Sequence, residues 1–144
     1  MTLELWFLFG VIAVVAAWSL ATKLVQRLRA SQLKRQRQGQ SLESFLRYFV
    51  VDDIPETLAA EVYRYFQKLQ QVRNFPVSPE DDIEKVYGLR DENLLDAIAE
   101  IAQNCRYPVP PDNDPIWGQA LIVTIEDLVR FVDLLRPQNS GYLS

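Results

Sequence analysis

The stretch LWFLFGVIAVVAAWSLAT, from Leu5 to Thr22, is eighteen residues long and carries no charge. A helix of about 20 apolar residues crosses the hydrocarbon core of a bilayer. A single segment can do so only as a helix, because each backbone polar group must be satisfied within it. Trp6 and Trp18 lie near opposite ends, where interfacial aromatic residues are common. The sequence therefore predicts a transmembrane helix within residues 1–22.

The next stretch, KLVQRLRASQLKRQR, is purely basic. Its six cations are Lys23, Arg27, Arg29, Lys34, Arg35 and Arg37. Lys and Arg close to a span stay on the cytoplasmic side, so we expect a single-pass protein of the inner, or another cytoplasm-facing, membrane with its amino terminus outside. Residues 23–40 are predicted to form a basic juxtamembrane helix or linker. Its six cations are predicted to face anionic lipid, with about 1 kcal/mol for each cation near the surface.

Two other interpretations of the apolar segment are less consistent with the sequence. A secretory signal peptide has its positive charge before the apolar run and a small-residue cleavage site after it, whereas here the charge follows the run. A core helix of a water-soluble protein normally keeps a polar face. In this segment, Ser19 and Thr22 are the only polar side chains apart from the indole nitrogens.

The remainder of the chain is acidic. From Ser41 onward there are 18 Asp or Glu and 9 Lys or Arg, a net charge of -9; with +6 from the basic stretch and -1 from Glu4, the chain sums to -4. Nucleic-acid binding by this part is disfavoured, because such binding needs a positive face. The partners that we expect are the membrane and an unidentified protein.

The residue inventory also argues against catalysis. The chain has no His, the commonest general base and metal ligand. Cys105 is the single cysteine and has no His to activate it. The acids at residues 80–84 are explained as charge at a helix N-terminus, and those at 112–114 by turn preference. We therefore predict no catalytic residue, no cofactor and no metal.

Hydrophobic periodicity and capping signals predict an all-α cytoplasmic domain at residues 41–137. Its helices are predicted at residues 42–51, 56–74, 79–87, 91–104 and 125–135, with N-caps at Ser41, Ser78, Asp91 and Thr124. Residues 107–117 contain four prolines and are predicted to be irregular, residues 120–123 to be extended, and residues 138–144 to be a disordered tail. The predicted core comprises Leu58, Val62, Phe66, Leu94, Ile98, Ile101, Leu128 and Val132.

Residues 80–103, EDDIEKVYGLRDENLLDAIAEIAQ, and residues 124–132, TIEDLVRFV, resemble the corresponding parts of acyl-carrier-protein-like domains. The resemblance covers residues 56–135 and implies a small helical bundle. True carriers have Asp-Ser-Leu at the start of the second main helix, and the serine carries phosphopantetheine. This chain has Asp91-Glu92-Asn93-Leu94 there, so the resemblance implies a carrier-like bundle that lacks the prosthetic arm.

The carrier resemblance also implies an acidic recognition helix. Asp91, Glu92, Asp96 and Glu100 would form this surface for a basic partner, or else an ordinary solvated helix face. Trp117 is expected either to anchor a partner or to close over the core. We therefore expect a membrane-anchored, non-catalytic binding or assembly module that holds a protein partner at the cytoplasmic membrane face. The alternative is an accessory carrier-like domain for an enzyme of lipid or polyketide metabolism.

Overall fold

The computed structural model describes residues 2–70 and 72–137, and within these ranges it contains seven helices and no strand. They are α1 (Thr2–Gln36), α2 (Leu42–Val50), α3 (Glu56–Leu69), α4 (Ile83–Tyr87), α5 (Asp91–Asn104), α6 (Ile116–Gln119) and α7 (Ile125–Leu134). The all-α prediction is confirmed. The predicted disordered tail at residues 138–144 lies outside the described residues.

Helix α1 is 35 residues long, about 52 Å at 1.5 Å per residue. Its most apolar 18-residue window has a mean hydropathy of 2.1 and is not buried against the rest of the protein. Among the described residues, α1 is the one helix long and apolar enough to cross a membrane. The helix continues without a break past Thr22, so the predicted boundary between span and juxtamembrane segment is not a structural boundary.

Helix α2 is joined to α3 through aromatic side chains. It starts at a capping box in which the Ser41 hydroxyl accepts from the Ser44 backbone N–H, and the Ser44 hydroxyl accepts from the Ser41 N–H. The predicted N-cap at Ser41 is thus confirmed. Phe45 and Phe49 point into the core, and the Phe45 ring meets Tyr63 of α3 edge-on at 5.2 Å between centroids.

Helices α3, α5 and α7 pack against one another and form the centre of the domain. Each contributes apolar residues three or four positions apart, the spacing that brings side chains to one helix face. Seven of the eight predicted core residues have no exposed surface, namely Leu58, Val62, Phe66, Ile98, Ile101, Leu128 and Val132. Leu94 is partly buried at the edge of this core.

Helix α3 ends at Leu69 and not at the predicted residue 74. The chain leaves the helix because Phe75 and Val77, six and eight residues after Leu69, are buried in the core at 0% and 2% exposure. Asn74 makes the change of direction in a left-handed backbone conformation, with φ of 56°, which Asn tolerates better than most residues. Core burial after the helix therefore outweighs the helical pattern that extends to residue 74.

Two of the predicted N-caps are wrong. The N-cap of α4 is Asp82, whose carboxylate accepts from the Lys85 N–H at 2.9 Å, while Ser78 lies in the loop before it. Asp91 is the first residue of α5 and Arg90 is its N-cap, without a side-chain capping bond. The predicted cap at Thr124 is confirmed, because Thr124 and Asp127 form a reciprocal capping box at the start of α7.

The proline-rich segment is less irregular than predicted, because it ends in the short helix α6. Ile116, at 7% exposure, packs this turn into the core. The predicted extended piece at residues 120–123 forms no strand, although its end pairs with the segment before α4. The N–H of Ile83 donates to the Val123 carbonyl at 2.9 Å, and the N–H of Ile125 donates to the Asp81 carbonyl at 3.0 Å.

We expect Leu128→Ala to lower the free energy of unfolding by about 2–5 kcal/mol, because it leaves a cavity at a fully buried position. Leu121→Ala is the matched control, since Leu121 is 85% exposed, and it should change stability by less than about 0.5 kcal/mol. Denaturant titration of the full chain in detergent, followed by the change in tryptophan fluorescence, measures both. Equal effects of the two substitutions would contradict the assigned core.

Candidate functional site

The carboxyl-terminal end of α1 is packed onto the domain. Lys23, Ala30 and Arg37 recur every seven residues and therefore lie near one side of the helix. On this side Ala30 is only 3% exposed and Leu33 packs against the same core, whereas Leu24 and Leu28 are more than half exposed. The last two turns of α1 are consequently part of the domain and do not form a free linker.

A bidentate ion pair joins the end of α1 to the loop before α4. Arg37 Nη1 donates to Asp81 Oδ2 at 2.9 Å, and Arg37 Nη2 donates to Asp81 Oδ1. Nη1 also donates to the Pro76 carbonyl oxygen at 3.1 Å. The two charged side chains are 16% and 2% exposed. Two parallel hydrogen bonds between charged groups give this contact both strength and a defined orientation.

Within the described ranges, Asp81 is the one charged residue that is buried, at 3% exposure. Its carboxylate accepts several hydrogen bonds. Besides the two bonds from Arg37, it accepts from the Ser78 N–H at 3.0 Å and from the Tyr87 hydroxyl at 2.7 Å. Its own carbonyl accepts from the first residue of α7, Ile125. Asp81 thus links α1, α4 and α7 through one residue.

The surroundings of Arg37 and Tyr87 raise the pKa of both groups. Burial lowers the pKa of the Arg37 guanidinium, but the hydrogen bonds and charge of Asp81 outweigh burial, and the pKa lies above its ordinary value. Burial, and next the charge of Asp81, raise the pKa of the Tyr87 hydroxyl far above its ordinary value. Tyr87 therefore stays protonated and donates its hydroxyl hydrogen to the Asp81 carboxylate.

The prediction that all six cations of the basic stretch face lipid is wrong for two of them. Arg37 is held by Asp81, and Lys34 Nζ donates to the Arg73 carbonyl oxygen at 2.6 Å. Both lie on the side of α1 that packs on the domain. The other four, Lys23, Arg27, Arg29 and Arg35, are exposed. The seven-residue spacing of Ala30 and Arg37 was the available sequence signal for this inward side.

The four acids of the predicted recognition surface all belong to α5 and are all exposed: Asp91, Glu92, Asp96 and Glu100. The last three are spaced by four residues and follow one side of the helix. Burial, and after it the charges of Glu100 and Asp96, raise the pKa of Tyr65 on α3, so this acidic side runs beside α3. The geometry provides a linear array of carboxylates about 12 Å long.

Trp117 closes over the edge of the core. Its ring lies 5.4 Å from that of Phe131 between centroids, and its indole N–H donates to the Pro111 carbonyl oxygen at 2.9 Å. The side chain is half-buried. The first role of Trp117 is therefore to fasten the proline-rich segment to α7.

Nothing in the described part of the chain groups three or more His, Cys, Asp or Glu residues as a metal site would. Cys105 is half-buried, and burial, followed by the charge of Glu61, raises the pKa of its thiol, which keeps it in the less reactive protonated form. Comparison of the chain with protein-family models, curated proteins and solved structures finds no match.

We expect Arg37→Ala to lower the free energy of unfolding by about 3–5 kcal/mol, because it leaves the Asp81 carboxylate buried without its counter-charge. Arg35→Ala removes an exposed cation two residues away and should cost less than about 0.5 kcal/mol. Denaturant titration of the full-length variants in detergent is the measurement. If the two variants were equally stable, the ion pair would not be what holds α1 to the domain.

Proposed function

We propose that this protein is a membrane-anchored, non-catalytic binding module that holds a protein partner at the cytoplasmic face of a membrane. The observation that carries this proposal is the continuity of α1. It runs unbroken from its apolar part to the Arg37–Asp81 ion pair. The apolar part of α1 and the domain are therefore rigidly joined, and a partner bound by the domain would be held at a fixed position relative to the membrane.

The basic part of α1 fixes the position of the domain, which packs alongside it. Residues 23–36 extend about 21 Å beyond the uncharged segment at 1.5 Å per residue. A flexible linker of similar length would let the domain sample many positions, whereas a packed helix fixes one. The excess of cations after the span over the single Glu4 before it supports placing the domain in the cytoplasm.

The acidic side of α5 is the partner surface that we favour. Exposed carboxylates at Glu92, Asp96 and Glu100 lie along one side of a helix, which complements a basic surface on a protein partner. Charge complementarity of this kind speeds association and excludes acidic competitors. The same net negative charge repels the anionic membrane surface, so it favours orienting α5 toward other proteins.

A second candidate is an accessory carrier-like domain for an enzyme of lipid or polyketide metabolism. It is supported by the order of helices α3 to α7. Asn93, or else Glu92, stands exposed in the first turn of α5 where carriers have the phosphopantetheine serine, so such a domain would act without the prosthetic arm. The two candidates share the acidic surface of α5 and differ in the partner. Recovery of an acyl-transfer or lipid-synthesis enzyme as that partner would favour the second.

We expect the protein to resist carbonate extraction from membranes and to place its carboxyl terminus in the cytoplasm. A fluorescent protein that matures only in the cytoplasm, fused after Ser144, should be active. Alkaline phosphatase, which is active only outside it, should be inactive at the same position. The reverse pattern would contradict the orientation, and recovery of a soluble chain that starts near Ser19 would indicate a cleaved signal peptide.

We expect the double charge reversal Asp96→Lys and Glu100→Lys to reduce recovery of the partner at least about five-fold, because like charges across an interface cost several kcal/mol. The measurement is quantitative pull-down of the full chain from detergent-solubilised membranes. Glu43→Lys is the control, since the Glu43 side chain is 72% exposed on α2 and away from α5 in sequence. Equal recovery with all three proteins would show that α5 is an ordinary solvated face.

A further inference from the structure

A pocket of about 390 Å³ lies between α1 and α4, at the place where the uncharged part of α1 ends. Its lining begins with Lys23, the residue directly after Thr22, and reaches down α1 to Leu33. The opposite wall is formed by the end of α3 and by residues 84–88 of α4 and its C-cap. The pocket lies where α1 packs against the domain, a packing that includes buried Ala30 and the Arg37–Asp81 ion pair.

The charges on the pocket wall are mainly positive. Lys23, Arg27 and Arg29 come from α1, and Lys85 comes from α4 on the other side. Glu84 is the acid of the lining, and its carboxylate is paired with Arg90 at 2.5 Å. Lys85 approaches Asp82 only at 3.7 Å and remains 84% exposed. Four cationic residues from two separate elements therefore line one cavity.

The position of the pocket along α1 matches the lipid headgroup layer. Lys23 and Arg27 lie within about 8 Å of the last uncharged residue at 1.5 Å per residue. The headgroup layer of a bilayer is of the same order, about 5–8 Å on each side of the hydrocarbon core. The deeper part of the wall, at Ala30 and Leu33, is apolar and packed on the core. The cations thus stand at the membrane end of the pocket.

We propose that this pocket binds one phosphate group, supplied by the headgroup of an anionic phospholipid. Several cations around one cavity are the usual protein partners of phosphate, and the headgroup layer is where α1 places them. Diffuse attraction of the basic stretch to the membrane needs no residue from the domain. The pocket requires Lys85, which lies outside the basic stretch, and makes no use of Arg35. The site is independent of any protein partner on α5.

The test uses the full chain in detergent micelles with added phosphatidylglycerol, and native mass spectrometry counts the lipids retained. We expect one retained phosphatidylglycerol per chain and at least ten-fold weaker retention in the double variant Arg27→Gln and Lys85→Gln. Lys85→Gln alone should weaken retention at least three-fold. Arg35→Gln, the matched control on α1, should retain lipid like the natural chain. These side chains are exposed, and circular dichroism verifies that each variant remains folded.

Two further measurements distinguish a lipid headgroup from free phosphate as the group that is bound. Phosphatidylcholine, which has no net charge, should be retained at least ten-fold more weakly than phosphatidylglycerol. Inorganic phosphate at millimolar concentration should not displace the lipid. If inorganic phosphate displaced the lipid from the natural chain, and Arg27 and Lys85 were needed for this effect, the pocket would be a site for free phosphate and not for a lipid headgroup. Equal retention by Lys85→Gln and the natural chain, or an equal loss in Arg35→Gln, would overturn the pocket itself.

Discussion

The Arg37–Asp81 ion pair is the contact on which the arrangement of this protein depends. A buried charge is costly unless it is paired and hydrogen-bonded, and the Asp81 carboxylate receives donors from Arg37, the Ser78 backbone and the Tyr87 hydroxyl. Such a pair contributes less to net stability than apolar packing of the same volume, but breaking it is expensive. Its main consequence is therefore orientation: it selects one way for α1 to sit on the domain.

The orientation of α1 at Arg37 determines which of its other side chains face the domain. An α-helix turns 100° per residue, so fixing one residue fixes the facing of all others. Ala30 and Leu33 are turned to the core and Lys23 and Arg27 to the pocket beside α4, while Leu24 and Leu28 remain exposed on another side. A contact near the end of the helix thus bears on which residues of α1 face the pocket, more than 10 Å away.

Local signals predicted the elements that local interactions stabilise. The capping boxes at Ser41 and Thr124 need only residues three positions apart, and both form. The end of α3 and the start of α4 could not be predicted from such local signals. Burial of Phe75 and the bonding of Asp81 to α1 and α7 reshape the loop between them, and these contacts join residues that are distant in sequence.

Composition and periodicity are properties of consecutive residues, so they were enough to predict one long apolar helix, a basic stretch and an acidic helical domain. Helical spacing was also enough to predict most of the core, since it places those residues on buried faces. Which cations face the domain and which line the pocket became known from the packing of α1. Arg37 and Asp81 are 44 residues apart, and Lys85 is farther still from Lys23, so their proximity depends on how α1 packs and not on any local pattern.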